Sequence, residues 1–443
     1  MKYLCSTLIT FLIVQNAFAL EAYFNHNARS QYKDPYRGIT RRGDDLEAVI
    51  LKKISTAKKS VFVAVQELRL PSVALLLAEK KKAGLDVRVI VERDYNFDVL
   101  HQSGGDDGEG TDNRDLRAFI DINKNGKLEA SELESRDAIY ILGKNKVPVI
   151  DDSFGPSMGS ALMHHKFVII DGKSTIISTA NFTLSCIHGD YNTPTSMGNP
   201  NSMIVADSAE MAAHFTEEFL MMWGNGKQGA FGLNKRLRAP KVFTVGGTKV
   251  TVQFSPASKT VPFEQTTNGL IIQYMKKATR SFKAALFVFS EQKLVDALEV
   301  KHNAGVDVGT VIEARFAYRD YSELLDMLGL EMLGVNCKAE EGNKPWKNPI
   351  REGGMANLPG GDKLHHKYAV IDGKYTLVGS HNWSDSANNA NDETMLVIEN
   401  TSISDLYTQE YERILKTSTI GVTTKAEADI QKRLDSCGRK GLL

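Results

Sequence analysis

An eleven-residue segment at 163–173 recurs almost unchanged at 364–374 in this chain of 443 residues. In a β-strand, side chains at positions i and i+2 share a face, so the histidine and the lysine of each copy point into the same space. A group able to act as nucleophile or acid therefore lies beside a permanent cation. This pairing suits a substrate with an anionic centre, which one group attacks while the other stabilises its charge. Both copies have the pattern His-x-Lys-x-x-x-x-Asp, made by His164, Lys166 and Asp171, and by His365, Lys367 and Asp372.

The duplication extends beyond these segments and divides the chain into two similar halves. Residues 57–64 and 82–92 correspond to residues 278–285 and 303–313 at a constant offset of 221. At the histidine motifs the offset is 201, so the first half carries 20 extra residues between these two points. The predicted units are a first domain at 20–238 with an insert at about 104–142, a second domain at 239–416, and a C-terminal tail at 417–443.

Hydrophobic periodicity predicts the same order of elements in each half: helix, strand, helix, strand. Alternating helices and short buried strands predict an α/β fold of two pseudo-twofold-related domains, each a mixed sheet flanked by helices. Gly84 and Gly305 lie where a helix should end before a strand. Amphipathic helices are predicted at 46–56, 72–82, 270–277 and 292–302, and apolar strands at 61–65, 87–91, 167–170 and 175–178.

The first nineteen residues resemble a cleavable secretory leader. Lys2 precedes an apolar run at 3–14, and Ala17-Phe18-Ala19 has the small-x-small form of a cleavage site. The run is much shorter than the roughly 20 residues that span a bilayer. We therefore expect cleavage after Ala19 and a secreted or periplasmic protein.

Cysteine and charge content set two further expectations. The mature chain would keep Cys186, Cys337 and Cys437, and one disulfide with one thiol is the simplest arrangement in an oxidising compartment. Pairing of Cys337 with Cys437 is favoured because it would hold a polar tail, with three unpaired buried thiols as the alternative. The 54 basic residues balance 54 acidic ones, so the chain lacks the basic excess that is usual in proteins whose main role is to bind nucleic acid.

The insert contains a twelve-residue calcium-loop pattern at 121–132. Glycine at its sixth position, Gly126, permits the sharp turn that such a loop needs. Helices are predicted on both sides, at 114–120 and 131–142. We expect a structural Ca²⁺ ion of modest affinity, and a solvated polar turn is the alternative. The predicted ligands are Asp121, Asn123, Asn125, the backbone carbonyl of Lys127 and a bidentate Glu132.

The duplicated motif resembles the signature of the phospholipase D superfamily, in which a Gly-Ser-x-Asn string follows each copy. The second half has this string at 379–382, whereas the first half has Ser-Thr-Ala-Asn at 178–181 and keeps only the asparagine. The resemblance extends from about residue 24 to about residue 413. The superfamily includes phospholipases D, cardiolipin hydrolases, phospholipid synthases and nucleases.

This resemblance implies a two-step displacement at phosphorus without a catalytic metal. One of His164 and His365 would attack to form a phosphohistidine, and the other would protonate the leaving oxygen and then activate water. Family precedent favours His164 as the nucleophile. The residues expected to hold the non-bridging oxygens are Lys166, Lys367, Asn181 and Asn382.

The carboxylates have separate expected roles. Asp171 and Asp372 lie seven residues from their own histidines, an odd step along a strand, so we expect them to anchor the following turns. The resemblance implies that Glu393 orients His365. The aligned position of the first half is Asn201, so either His164 lacks a carboxylate partner or Asp190 supplies one.

These observations predict a monomeric phosphodiesterase that hydrolyses a phospholipid, at a membrane surface, to phosphatidic acid and free head group. A secreted or periplasmic nuclease of the same superfamily, acting on nucleic acid, is the alternative. A non-catalytic, calcium-stabilised binding protein is a third possibility, and two intact motifs argue against it.

Overall fold

A computed structural model describes residues 19–101, 113–153, 161–227 and 229–439. The predicted leader therefore lies outside the described residues, apart from Ala19, and so does the start of the insert at 104–112. Within the described ranges, no helix is both long and apolar enough to cross a membrane.

The first half forms a seven-stranded sheet in the order β1-β9-β8-β7-β4-β5-β6. β4 is parallel to β5 and antiparallel to β7, so the sheet is mixed. The strands are β1 (Leu20–Phe24), the separate hairpin β2 (Gln31–Lys33) and β3 (Thr40–Arg42), β4 (Ser60–Val65), β5 (Asp86–Ile90), β6 (Val149–Ile150), β7 (Lys166–Ile170), β8 (Ser174–Ser178) and β9 (Ser202–Asp207). The helices are α1 (Leu46–Ser55), α2 (Pro71–Lys82), α3 (Asn113–Ile120), α4 (Ala130–Arg136), α5 (Ala138–Lys144), α6 (Leu184–Ile187) and α7 (Ala209–Trp223).

The second half repeats this arrangement in a nine-stranded sheet, in the order β10-β11-β19-β17-β16-β12-β14-β15-β20. β13 and β18 form a separate pair. The strands are β10 (Lys241–Val245), β11 (Thr248–Ser255), β12 (Ser281–Leu286), β13 (Phe289–Ser290), β14 (Asp307–Ile312), β15 (Glu352–Met355), β16 (Lys367–Ile371), β17 (Tyr375–Gly379), β18 (Trp383–Ser384), β19 (Glu393–Glu399) and β20 (Thr419–Ile420). The helices are α8 (Thr267–Met275), α9 (Gln292–Asn303), α10 (Glu323–Met327), α11 (Asp385–Asn389), α12 (Thr401–Leu415) and α13 (Thr424–Ser436).

The predicted α/β fold of two related halves is confirmed, and the eight predicted helices and strands agree with the observed ones within a few residues. Gly84 and Gly305 have φ of +88° and +89° after α2 and α9, the left-handed conformation that favours glycine at a helix end. The single helix predicted at 131–142 is wrong. Asp137 is extended and interrupts it, because its carboxylate accepts hydrogen bonds from Tyr140 N and from Val99 N.

The two halves share one apolar core. Phe215 of α7 packs edge-on against Phe254 of β11, with ring centroids 5.1 Å apart. On the other side of the pseudo-twofold, Phe24 of β1 packs against Tyr407 of α12 at 4.8 Å. Helices α7 and α12 thus bury their apolar faces between the two sheets, which fixes the position of one half relative to the other.

The predicted tail adds a strand and a helix to the second half. β20 pairs with β15, and Ile430 and Leu434 of α13 pack in a small buried cluster with Leu325 and Leu333. The predicted Cys337–Cys437 disulfide is confirmed, and Cys186 is a buried thiol. The domain boundaries stay predictions.

Candidate active site

Both histidine–lysine pairs lie where a central strand begins. Lys166 is the first residue of β7 and pairs with Val65 at the end of β4. Lys367 is the first residue of β16 and pairs with Leu286 at the end of β12. His164 and His365 each precede their lysine by two residues, and all four side chains are buried. The sheet thus positions each cation beside its histidine.

Each histidine is held by a residue of the opposite half. His164 Nδ1 lies 2.7 Å from Oε2 of Glu393, the first residue of β19. His365 Nδ1 lies 3.0 Å from Oδ1 of Asn201, which immediately precedes β9. The backbone also crosses the seam, since His164 N donates to Asp392 O at 3.0 Å. The two motifs therefore meet at the seam between the halves.

These contacts correct two expectations. Glu393 was expected to orient His365, but its carboxylate contacts His164. Asp190 was a possible partner for His164, but it lies beside Asp362 and Asp115, and burial together with these two carboxylates raises the pKa of Asp190 to about 6. The reason is the pseudo-twofold, which brings the residue before β9 and the first residue of β19 across the seam to the other half's histidine.

The Glu393 carboxylate is fully buried and still ionises readily. Burial opposes its ionisation, but the charge of His164 and the hydrogen bond to that ring outweigh the burial and hold the pKa of Glu393 below its ordinary value. Asn391 Nδ2 donates to the other carboxylate oxygen at 3.3 Å. His164 consequently faces a negative charge, whereas His365 faces a neutral amide.

The two lysines have different supports. Lys166 Nζ donates to Gln66 Oε1 at 3.1 Å and to the backbone carbonyl of His164 at 3.0 Å. Lys367 Nζ donates to the carbonyl of His365 at 3.1 Å and lies 4.8 Å from the ring centroid of Phe287, a cation–π contact. Gln66 and Phe287 are equivalent positions at the repeat offset of 221, a relation that could have identified both from the sequence.

Two buried polar side chains near the motifs lack hydrogen-bond partners among the described residues. Asn181 has neither its amide nitrogen nor its carbonyl oxygen bonded, and His381 has neither ring nitrogen bonded. Burying such a group without a partner costs about 1–3 kcal/mol, which a bound anion could offset at Asn181. Burial lowers the pKa of His381 to about 4, so this ring is neutral beside Glu393 and His164. The motif pattern predicts a role for Asn382 and none for the neighbouring His381, which occupies the variable position of the same Gly-Ser-x-Asn string.

The motif aspartates do not face the histidines. Both Asp171 oxygens accept hydrogen bonds from backbone N–H groups at 58–60, and Asp372 does the same at 279–281. Burial opposes ionisation of Asp171, but these N–H groups hold its pKa below the ordinary value. Their anchoring role was expected at the following turns; the structure corrects this, because each carboxylate holds the segment that enters β4 or β12.

The predicted calcium loop has a turn at its centre between α3 and α4. Gly126 has φ of +79°, and the two Asp121 oxygens accept from Asn125 N at 3.0 Å and Gly126 N at 2.8 Å. Glu132 Oε1 folds back to accept from Asn123 N at 3.1 Å. In the part of the chain that is described, no three His, Cys, Asp or Glu side chains are grouped as a metal site. Amide and backbone oxygens supply three of the five predicted ligand residues of the loop, namely Asn123, Asn125 and Lys127.

A family model and the related proteins agree on the family to which this chain belongs. The family model described as "Cardiolipin synthase, PLD-like domain" matches residues 50–223 and 271–415. Mitochondrial cardiolipin hydrolase from Xenopus laevis is 26% identical over 185 residues, which cover 41% of this chain and 77% of that protein. The mouse protein of the same name is 26% identical over 156 residues, 35% of this chain and 60% of that protein.

One solved structure shares the fold over nearly the full length. Phosphatidylserine synthase from Haemophilus influenzae superimposes with a TM-score of 0.54 and 13% sequence identity. The match covers 95% of this chain and 93% of that one. Both halves and their relative placement thus have a counterpart in a known structure.

Proposed function

Because the chain belongs to the family of phospholipase D-like domains, whose members act on phosphodiesters, we propose that it hydrolyses phospholipids to phosphatidic acid and free head group. The observation that supports this proposal is the meeting of two buried histidine–lysine pairs at one seam, each histidine held from the opposite half. Similarity to cardiolipin hydrolases supports a lipid substrate.

In the proposed first step, the neutral form of His164 is the nucleophile and the protonated form of His365 is the acid. With Nδ1 bonded to Glu393, Nε2 is the nitrogen that attacks phosphorus. The N–P bond forms, the bond from phosphorus to the head-group oxygen breaks, and His365 gives its proton to that oxygen. Lys166 and Lys367 stabilise the charge on the non-bridging oxygens.

In the proposed second step, His365 takes a proton from water. The resulting hydroxide forms a new bond to phosphorus, the N–P bond breaks, and phosphatidic acid leaves. His164 is then restored.

The unequal partners support this assignment of roles. Attack through Nε2 makes the His164 ring cationic, and the buried Glu393 carboxylate stabilises that cation. His365 must alternate between the charged and the neutral form. The Asn201 amide orients its ring without adding a charge that would hold the proton.

The substrate proposal has a direct test. The purified protein is expected to release head group from vesicles of phosphatidylcholine, phosphatidylglycerol or cardiolipin, measured by mass spectrometry of the products. Binding to single- or double-stranded DNA should be weak and lost with salt, because phosphate contacts release counterions. Cleavage of DNA near physiological salt, with no head group released from any vesicle, would instead support the nuclease alternative.

We further propose that the insert binds one Ca²⁺ ion as a structural clip. The donor set fits, since carboxylate, amide and carbonyl oxygens are the ligands that Ca²⁺ prefers. The residues that would hold the ion are Asp121, Asn123, Asn125, Lys127 through its carbonyl, and Glu132.

Calcium at about ten times its Kd is expected to stabilise the protein by about 1.4 kcal/mol, because it binds only the native state. The melting temperature should rise by about 2 °C, measured by calorimetry with and without chelator. Glu132→Gln should remove this rise, whereas Glu79→Gln, at an exposed carboxylate on α2, should keep it. An equal rise in both variants would contradict the site, and immediate loss of turnover on chelation would place the metal in the reaction.

A further inference from the structure

A cleft of about 1040 Å³ lies between helix α13 and the loops that follow β14. One wall is the face of α13 that carries Lys425, Lys432 and Arg433. The opposite wall is formed by residues 314–335, together with Met355 of β15. The disulfide between Cys337 and Cys437 ties the end of α13 to that wall. The disulfide therefore holds the two walls of the cleft together within the folded second half.

The cleft is cationic in a chain whose formal net charge is zero. Its acidic side chains are Asp320 and Asp429, against five basic ones. Among the described residues, no acidic side chain lies within ion-pair distance of Lys425, Lys432 or Arg433, so their charge is directed to solvent. The five basic residues are Arg315, Arg319, Lys425, Lys432 and Arg433.

Apolar side chains are exposed beside these cations. Val335 lines the cleft and is 85% exposed, and Met332 lies close to it in the same wall. Ile420 of β20 is 45% exposed and pairs across to Gly354, next to the lining residue Met355. Cations interspersed with exposed apolar side chains are typical of surfaces that contact anionic lipid.

A nucleic-acid strand fits this surface less well, because sequence-tolerant binding of single strands uses aromatic rings for base stacking. Tyr318 lines the cleft, but it is partly buried and its hydroxyl donates to Gly421 O at 2.6 Å. That bond joins the segment before α13 to the opposite wall, so the ring has a structural role.

A short segment of the chain links the cleft to the candidate active site. Arg315 lies on the wall of the cleft, two residues after Glu313. The Glu313 carboxylate accepts a hydrogen bond from Leu364 N at 2.6 Å, and Leu364 immediately precedes His365. The wall opposite α13 is therefore joined to the segment that carries the second histidine by one short loop and the hydrogen bond from Leu364 to Glu313.

We propose that this cleft docks the protein onto an anionic phospholipid bilayer, with the basic side chains at the lipid phosphates and Val335 and Ile420 in the interface. The role given to this surface, presenting membrane lipid to the histidines, rests on the proposed function. The docking itself is a binding event and can be measured without turnover.

The test is sedimentation of the full chain with vesicles of phosphatidylcholine and phosphatidylglycerol. The triple variant Lys425→Gln, Lys432→Gln, Arg433→Gln is expected to bind roughly 100-fold more weakly, about fivefold for each cation removed. A control triple, Lys52→Gln, Lys82→Gln, Lys276→Gln, removes the same charge from exposed positions elsewhere and should stay within about twofold of the wild type. Val335→Ser should also weaken vesicle binding. Because the Val335 side chain is 85% exposed, this substitution should leave the fold intact.

The outcomes separate the two proposals. Equal binding by the two triple variants, or no vesicle binding by the wild-type chain, would overturn the docking surface. Loss of DNA binding in the cleft triple with unchanged vesicle binding would do the same. Turnover of a soluble monomeric phosphodiester should be unchanged in the cleft triple. If vesicle binding behaves as expected but no vesicle lipid is hydrolysed, the docking surface stands and the proposed function fails.

Discussion

Replacing either His164 or His365 by alanine is expected to lower phosphodiester hydrolysis by about 10⁴-fold, and replacing both should be scarcely worse. The reason is that the two rings form one catalytic unit across the seam, each supplying a function that the other lacks. Loss of either one leaves only binding and charge stabilisation by the lysines. The measurement is kcat of the three variants on vesicle lipid and on a soluble phosphodiester.

His101→Ala is the matched control, because that histidine is exposed and lies far along the chain from both motifs. It should keep wild-type turnover. Modest losses that add in the double variant would mean two independent sites, one in each half, and would contradict the shared site.

Glu393→Gln is expected to reduce kcat by roughly 10³-fold, because it removes the negative charge that faces His164 and preserves the size of the side chain. The phosphoenzyme, trapped by acid quench and located by mass spectrometry, should fall with it. Asn201→Ala should cost much less, roughly tenfold, since the amide orients His365 without a charge.

Glu399→Gln provides the control for this pair, since it makes the same change at the other end of β19, where the carboxylate meets Lys374 near the surface. Its kcat should match the wild type. A larger loss in Asn201→Ala than in Glu393→Gln would reverse the roles of the two histidines, with His365 as nucleophile.

Much of the fold follows from local pattern. The apolar strand of each half, the helices beside it and the glycine at each helix end depend on side-chain periodicity and backbone freedom, which neighbouring residues decide. The break of a predicted helix at Asp137 does not follow, because one of the groups that hold it, Val99 N, lies 38 positions away.

The candidate site divides in the same way. The duplicated motif by itself predicted that a histidine and a lysine lie together at a strand, since the period of two is a property of the extended backbone; in the structure each lysine begins its strand and the histidine precedes it by two residues. It also placed Asp171 and Asp372 away from their histidines. The equivalence of Gln66 and Phe287 was present in the repeat, but their contacts with the lysines were not.

Only the tertiary structure decided which residue serves which histidine. Glu393 reaches His164 over 229 positions and Asn201 reaches His365 over 164, because the shared core of α7 and α12 sets the two sheets against each other. Alignment of the repeats compares a residue with its counterpart, whereas the pseudo-twofold carries it across to the other half. A contact of this kind depends on how two folded surfaces pack, and no local pattern in the chain encodes it.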